Sequence, residues 1–360
     1  MPVSRVLMTA DAVGGVWPYT LDLARGLVAH GLAVDVAVMG PPPDGRQRAD
    51  ACAAGVTLFD LPGRLEWMDD PWIDVDRAGE TLLTLARARR PDIVHLNGYC
   101  HAALRWSVPV VVVAHSCVRS WWRAVHDAAA PPAFDEYGRR VAAGLRAAAT
   151  VIAPSRAMLR DLQREYEPVT RAAVIANGRA ELSAAPAPKE RLVFTAGRLW
   201  DEAKNIQAVC SVAPQVTWPT FVAGDDCDPH GRTAIRSGAR YLGKLPPDVM
   251  AGWYARASIY ALPARYEPFG LSILEAARAG CALVLGDIPS LRENWDGASR
   301  FVLPGDRIGL AAAIRTLIDD DARRRRLAAA AIARAATLPV DRMVAEYVAA
   351  YAAVAPAEAA

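Results

Sequence analysis

No Cys-x-x-Cys pair, no Gly-x-Gly-x-x-Gly fingerprint and no apolar run of membrane-spanning length occur in this 360-residue chain. The six cysteines, Cys52, Cys100, Cys117, Cys210, Cys227 and Cys281, are scattered and never join histidines at zinc-site spacing. They read as reduced core residues of a cytosolic protein without a metal site. The missing glycine fingerprint disfavours a dinucleotide-dependent dehydrogenase. With no membrane span and no signal peptide ahead of the first strand-like run, the sequence predicts a cytoplasmic protein whose only membrane association would be peripheral. An excess of either charge is lacking too: 41 Lys and Arg against 39 Asp and Glu leave a net charge of +2. The chain as a whole therefore makes no case for nucleic acid.

What it has is apolar material in a regular order. Hydrophobic residues make up 53% of the chain, enough for sizeable cores, and its length suits two domains better than one. In the first half, apolar runs at Val6 to Ala10, Val34 to Met39, Val56 to Leu61, Ile93 to Leu96, Val108 to Ala114 and Val151 to Ala153 alternate with helical patterns. The clearest helices are Tyr19 to His30, Ala78 to Arg89, Tyr137 to Ala149 and Arg156 to Tyr166. The second half repeats the plan with strands at Leu192 to Ala196, Phe221 to Ala223, Arg240 to Leu242, Ile259 to Leu262, Ala282 to Leu285 and Phe301 to Leu303. Near-continuous apolar strands alternating with helices imply parallel sheets covered on both faces. The fold class is α/β, with two doubly wound domains whose strand carboxyl ends face a cleft. Linker composition from Glu181 to Lys189 puts the boundary there, with domains over 1–182 and 190–338 and a C-terminal segment over 339–360. Residues Asp319 through Ala355 should be helical, and the Arg323 to Arg326 run reads as a solvated helix face.

The most informative stretch is Ala261-Leu-Pro-Ala-Arg-Tyr-Glu-Pro-Phe-Gly-Leu-Ser-Ile-Leu-Glu-Ala-Ala-Arg-Ala-Gly280. A strand ends at Leu262, Pro263 breaks it, and Gly270 opens a helix that Gly280 stops. The first amides of that helix, at Gly270 and Leu271, can receive an anion such as a diphosphate. Glu267 in the loop and Glu275 on the helix suggest separate jobs, one at a reacting carbon and one accepting hydrogen bonds from ribose hydroxyls.

Glu267-Pro-Phe-Gly followed by Glu275, with Ala279-Gly280 closing the helix, resembles the E-x7-E signature of retaining glycosyltransferases of family 4. The resemblance covers nearly the whole chain and is densest over 191–297. Ala196-Gly197-Arg198-Leu-Trp-Asp-Glu-Ala-Lys204-Asn205 is similar to the family's G-R-L-x-x-x-K-G, with one extra residue before the lysine and asparagine in place of the final glycine. Ala223-Gly224-Asp225-Asp226 matches its A-G-[DE]-G except at the end, and Asn177-Gly178 resembles the N-G that closes its N-terminal domain.

The resemblance implies the GT-B fold, two Rossmann-like domains with the last helix crossing back onto the first. It implies a metal-independent transfer of a hexosyl group, with retention, from a nucleotide-diphosphate sugar to an acceptor hydroxyl. Arg198, Lys204, Gly270 and Leu271 would hold the donor diphosphate. Leu242 and Gly243, in a loop resembling the family's base-reading loop, would read the nucleotide base. Glu267 would serve the anomeric carbon and Glu275 the ribose. Gly15, in the Gly14-Gly15 turn after the first strand, would contact donor phosphate or acceptor. His115, at the end of Val110-Val-Val-Val-Ala114, would hydrogen-bond a hexose hydroxyl, although Ser116-Cys117 replaces the family's usual aspartate or glycine. Trp121 and Trp122 are candidates for stacking on the acceptor.

The donor is expected to carry uridine rather than guanosine, and the acceptor to be a glycan, a lipid-linked group or a small molecule, with no cofactor beyond the donor. Asp74-Val-Asp76 and Asp226-Cys-Asp228 both spell the D-x-D cation motif of metal-dependent glycosyltransferases of another fold. The first reads as helix capping, and the second retains a minor claim. A nucleotide-sugar epimerase of the same fold and a non-catalytic sugar-nucleotide-binding protein remain open alternatives.

Overall fold

The structure is a computed structural model that describes residues 3–166, 169–180, 187–227, 233 and 237–355. They form two compact units. One gathers the chain up to Arg123, Ala128–Gly178 and everything from Val340 on; the other gathers Ala124–Asp127 and Arg179–Pro339. Most of the composition-based linker, residues 181–186, lies outside the described residues.

In the first unit the described strands are β1 Arg5–Asp11, β2 Ala33–Met39, β3 Thr57–Leu61, β4 Ile93–Leu96, β5 Val110–Val113, β6 Thr150–Ala153 and β7 Ala172–Val174. They pair in the order β3-β2-β1-β4-β5-β6-β7, every neighbour parallel. Parallel neighbours need crossovers. These carry α1 Val16–Ala29, α2 Gly45–Ala53, α3 Trp72–Arg89, α4 Val118–His126, α5 Asp135–Ala147 and α6 Arg156–Glu165. All of Val110–Val113 is buried, as a central strand covered on both faces requires. Helix α2 escaped the apolar-periodicity reading because it buries only Ala51. A capping box holds it instead: Asp44 accepts from the Gln47 amide at 2.8 Å, and the Gln47 side chain accepts from the Asp44 amide at 2.9 Å.

The second unit repeats the architecture with β8 Glu190–Ala196, β9 Thr220–Ala223, β10 Arg240–Tyr241, β11 Ala257–Leu262, β12 Ala282–Gly286 and β13 Ser299–Val302, in the order β10-β9-β8-β11-β12-β13 and again parallel. Its helices are α7 Ile206–Val212, α8 Pro247–Arg256, α9 Leu271–Arg278, α10 Pro289–Trp295, α11 Arg307–Asp319 and α12 Asp321–Ala336. Val193, Ile259, Ala261 and Val284 pack against Val209, Leu310 and Ile314 in one buried cluster. The strand order reverses between β1 and β4 in one sheet and between β8 and β11 in the other. Such switch points are where open α/β sheets bind ligands, outside the carboxyl ends of the strands.

The helical stretch expected from Asp319 onward is broken twice. Asp320 separates α11 from α12 and caps the latter, accepting from the Arg323 amide at 2.8 Å. Pro339, without an amide hydrogen to give, precedes α13 Val340–Val354. That last helix belongs to the first unit and packs on α1, where a Cβ at Gly26 would collide with Val344. The arginine run is a solvated face only in part. Arg323, Arg325 and Arg326 are exposed, but Arg324 donates to the Leu317 carbonyl at 2.7 Å and lies 4.8 Å from the ring centre of Trp218.

Candidate active site

At the second switch point the loops after β8 and β11 converge. Arg198, just beyond β8, donates to Asp201 at 2.6 Å and rests over the Trp200 ring at 5.1 Å. Asp201 is buried and its other oxygen accepts from the Ala203 amide at 3.0 Å. The turn that absorbs the extra residue before Lys204 is thus organised around Asp201. Asn205, where the resemblance has glycine, sits in left-handed backbone at φ 53°, which asparagine tolerates better than most residues. Its side-chain amide donates to the Pro263 and Pro304 carbonyls, both at 2.8 Å.

Lys204 donates to Glu267 at 2.6 Å. Glu267 is buried, and its carbonyl accepts from the Ser290 hydroxyl at 2.6 Å. Three residues on, Gly270 caps α9 with φ 93° and ψ 68°. That positive φ favours glycine, and a Cβ there would also press on the end of the Ile273 side chain at 2.6 Å. The first intrahelical bonds run from Ile273 and Leu274 to the Gly270 carbonyl. The Leu271 and Ser272 amides precede them, at the positive end of the helix dipole. Tyr260 ties this helix start to β8: its hydroxyl donates to the Ala196 carbonyl at 3.2 Å and pairs with Ser272 Oγ at 2.9 Å. One turn along α9, Glu275 accepts from Arg179 Nε at 2.7 Å, with both side chains largely buried. Gly197, Gly224 and Gly243 line the neighbouring strand ends. The Gly224 amide donates to the Gly243 carbonyl at 2.9 Å, and a Cβ on Gly224 would lie 1.8 Å from the Gly197 carbonyl oxygen. Leu242 hangs on β9 through the Val222 carbonyl at 2.9 Å.

The first switch point carries a separate cluster. Gly14, at φ 75°, and Gly15 lead from β1 into α1, whose Tyr19 ring meets the His115 ring edge-on at 4.5 Å. Asn97, following β4, touches both histidines: its Oδ1 lies 2.8 Å from His115 Nε2 and 3.1 Å from His95 Nε2. His95 Nδ1 lies 2.7 Å from the Tyr351 hydroxyl of α13. Burial lowers the pKa of His95 to about 4. Burial, then the like charge of His95, lowers that of His115 to about 3.

Trp121 and Trp122 lie on α4, half-buried, with ring centres 5.8 Å apart, and Trp122 also meets Phe134 at 5.8 Å. Neither belongs to the buried core. The first D-x-D does not cap its helix as expected: Pro71 is the N-cap of α3 and carries no side-chain cap bond, while Asp74, inside the helix, accepts from the Arg64 amide at 3.0 Å and Asp76 pairs with Arg140. Asp228 of the second lies outside the described residues. Among the described residues no group of three His, Cys, Asp or Glu side chains could hold a metal ion, and no helix is long and apolar enough to cross a membrane.

The structure therefore gathers Arg198, Lys204, Glu267, Gly270, Leu271 and Glu275 around one switch point, and Gly15 and His115 around the other. Sequence reasoning missed the residues that hold them: Asp201, Ser290, Arg179, Asn97, His95 and Tyr351. Only Asn97 carried a local signal, an Asn-Gly step straight after an apolar strand.

Comparison with known proteins places the chain by sequence and by fold. Residues 13–179 match the profile of Glycosyltransferase Family 4, and residues 190–320 that of Glycosyl transferases group 1. A glycogen synthase of Mycobacterium tuberculosis is 42% identical over 83 residues, a stretch covering 22% of this chain and 20% of that enzyme. Two solved structures share the fold over nearly the full length. HepE of Anabaena, in complex with UDP and glucose, superposes with a TM-score of 0.76 at 15% identity, over 97% of this chain and 100% of its own. The sucrose-phosphate synthase of Thermosynechococcus elongatus gives 0.79 at 18% identity, over 97% and 98%.

Proposed function

The chain belongs to glycosyltransferase family 4, and we propose that this glycosyltransferase moves a hexosyl group from a nucleotide-diphosphate sugar to an acceptor hydroxyl with retention at the anomeric carbon. The observation that carries the reading is the ion pair of Lys204 with Glu267 beside the first amides of α9. In this mechanism the donor diphosphate lies against Arg198, Lys204 and the amides of Gly270 and Leu271. As the bond between the anomeric carbon and the phosphate oxygen breaks, negative charge grows on the diphosphate, where cations and a helix dipole stabilise it. Glu267 offsets the positive charge growing on the sugar. The acceptor oxygen then bonds to the same face of the anomeric carbon, and its proton passes to the departing diphosphate oxygen.

Glu275, held by Arg179, accepts from the ribose hydroxyls, and the strand-end loop at Leu242 and Gly243 faces the base. His115, with Gly15 nearby on the first unit, accepts a hydrogen bond from a sugar hydroxyl. Because fixed cationic side chains meet the leaving group, turnover needs no divalent cation. HepE, which shares the fold and whose structure holds UDP and glucose, supports a uridine donor. The acceptor is a glycan, a lipid-linked group or a small molecule.

The test is a thermal-shift panel of nucleotide sugars followed by turnover with the stabilising donor. Nucleoside diphosphate should be released in step with a larger glycoside, and the anomeric proton coupling of the product should match that of the donor. An inverted product would overturn retention. Conversion of the donor without any acceptor would point to an epimerase, and stabilisation without turnover to a binding protein.

A further inference from the structure

Four polar side chains of the first unit form one chain of hydrogen bonds from the last helix to His115, and its direction can be worked out atom by atom. Asn97 Nδ2 lies 2.6 Å from the Thr9 carbonyl oxygen and 3.2 Å from Thr20 Oγ1, while the Asn97 amide donates to Thr9 Oγ1 at 2.9 Å. A backbone carbonyl can only accept. Turning the Asn97 amide over would set two oxygens 2.6 Å apart, so Nδ2 faces Thr9 and Oδ1 faces the two imidazoles. Oδ1 can only accept, so both His95 and His115 carry hydrogen on Nε2. A neutral His95 then has a lone pair on Nδ1, which the Tyr351 hydroxyl fills as donor. A neutral His115 likewise keeps its lone pair on Nδ1.

We infer that Asn97, braced by His95 and Tyr351, is a positioning residue that holds His115 with hydrogen on Nε2 and presents Nδ1 as an acceptor for a ligand hydroxyl. This rests on the proposed role of His115. The groups around it favour the neutral ring. Tyr19 of α1 faces His115, and Tyr347 and Tyr351 of α13 stand behind His95. Burial raises the pKa of all three tyrosines, so none is charged near neutrality. No carboxylate appears among the described contacts of His95, Asn97 and His115. The last helix thereby reaches the site by hydrogen bonds as well as by packing, a task that apolar side chains on α13 would not perform.

The test uses the full chain with 15N-labelled histidine. Long-range proton–nitrogen correlation near neutral pH should show His95 and His115 protonated on Nε2 and bare on Nδ1. A proton on Nδ1 of His115 in the unaltered protein would overturn the inference without any variant. In Asn97→Asp, which keeps the side-chain size but exchanges the donor that faces the Thr9 carbonyl for a second acceptor, the carboxylate is turned toward the two imidazoles and stabilises the imidazolium. His115 should then titrate near or above the ordinary value of about 6.5, and the pH profile of donor turnover should acquire that same ionisation. An unchanged His115 titration in folded Asn97→Asp would refute the coupling. Tyr351→Phe removes only the hydroxyl that fills the His95 Nδ1 lone pair, so the His95 Nδ1 resonance should shift while the proton stays on Nε2, which Asn97 Oδ1 still holds; an unaltered His95 spectrum would remove Tyr351 from the chain. A changed His115 titration with unaltered turnover would support the positioning role while removing His115 from the proposed site, so the two readings fail separately.

Discussion

Lys204 Nζ lies 2.6 Å from Glu267 Oε2, and the pair joins loops 63 residues apart, after β8 and after β11. Both side chains are mostly buried, at 20% and 11% exposure. The lysine proposed for the departing phosphate is thus also the cation that accompanies the glutamate proposed for the sugar. Arg198 is different. It is more exposed, at 35%, and its Asp201 partner also has the Ala203 amide.

That contrast separates two variants that would otherwise look alike. Arg198→Ala should lower turnover by roughly 30- to 1000-fold, about 2–4 kcal/mol of transition-state stabilisation, with little change in melting temperature. Lys204→Ala should lower both, because Glu267 loses its partner while buried; on the order of 1–3 kcal/mol of stability is at stake. Turnover and melting curves measured together decide it. Near-wild-type turnover of Arg198→Ala would take that residue out of the phosphate site.

How much of this was legible in the sequence follows from what each feature needs. Strands such as Val110–Val113 and the break at Pro263 declare themselves locally, through composition and backbone chemistry. The glycines of the site are legible for the same reason: Gly270 has a backbone conformation that side chains disfavour. Partners are another matter. Arg179 reaches Glu275 across 96 residues of chain and Tyr351 reaches His95 across 256, and no local pattern encodes such a pairing. Helix α2 shows the remaining limit, since capping rather than an apolar stripe defines it.

Turnover should survive a chelator. The proposed leaving-group charge is met by Arg198, Lys204 and the start of α9, so added magnesium or manganese should change the rate less than twofold or so. The assay is donor turnover with and without EDTA. Complete loss that a divalent ion restores would transfer the role to a cation and reopen the claim of Asp226 and its neighbours.

Stability should depend on pH through His95 and His115. Their folded pKa values are lowered to about 4 for His95 and about 3 for His115, against about 6.5 in the unfolded chain. Between those values the unfolded chain binds protons that the folded one does not. Stability therefore rises with pH across the window: it is complete above about 6.5 and lost as pH falls toward 4. Each histidine contributes a slope of at most about 1.4 kcal/mol per pH unit, and the partly exposed His115 less. Melting temperature measured from about pH 7 to about pH 5, where ordinary carboxylates stay ionised, should fall. A flat or rising curve would contradict imidazoles held neutral in the folded protein.

The tryptophans of α4 offer a sharper question than core against surface, since both are half-buried. If they stack on the acceptor, Trp121→Ala or Trp122→Ala should raise the acceptor KM several-fold with the donor KM unchanged. Trp122→Ala should also lower the melting temperature somewhat more, because its ring meets Phe134. Loss of melting temperature in both variants without any change in acceptor KM would leave them a structural role alone.

The two glutamates that flank the start of α9 should fail in different ways. Glu267 precedes the helix, its backbone fixed by Ser290 and its carboxylate by Lys204. Glu275 projects one turn beyond the helix start and is held by Arg179. Glu267→Gln keeps the shape and removes the charge that would offset the growing cation, so kcat should fall while donor affinity barely moves. Glu275→Gln replaces a charged acceptor of ribose hydrogen bonds with a neutral amide, which accepts less well; donor affinity should weaken with kcat largely kept. Arg179→Lys supplies a third comparison. A lysine retains the charge but not the guanidinium geometry that orients Glu275, so it should resemble Glu275→Gln rather than Glu267→Gln. Steady-state kinetics with calorimetric binding of the nucleoside diphosphate to all three variants gives the answer. Poor nucleotide binding by Glu267→Gln, together with normal binding but slow turnover in Glu275→Gln, would reverse the assignment and sink the division of roles.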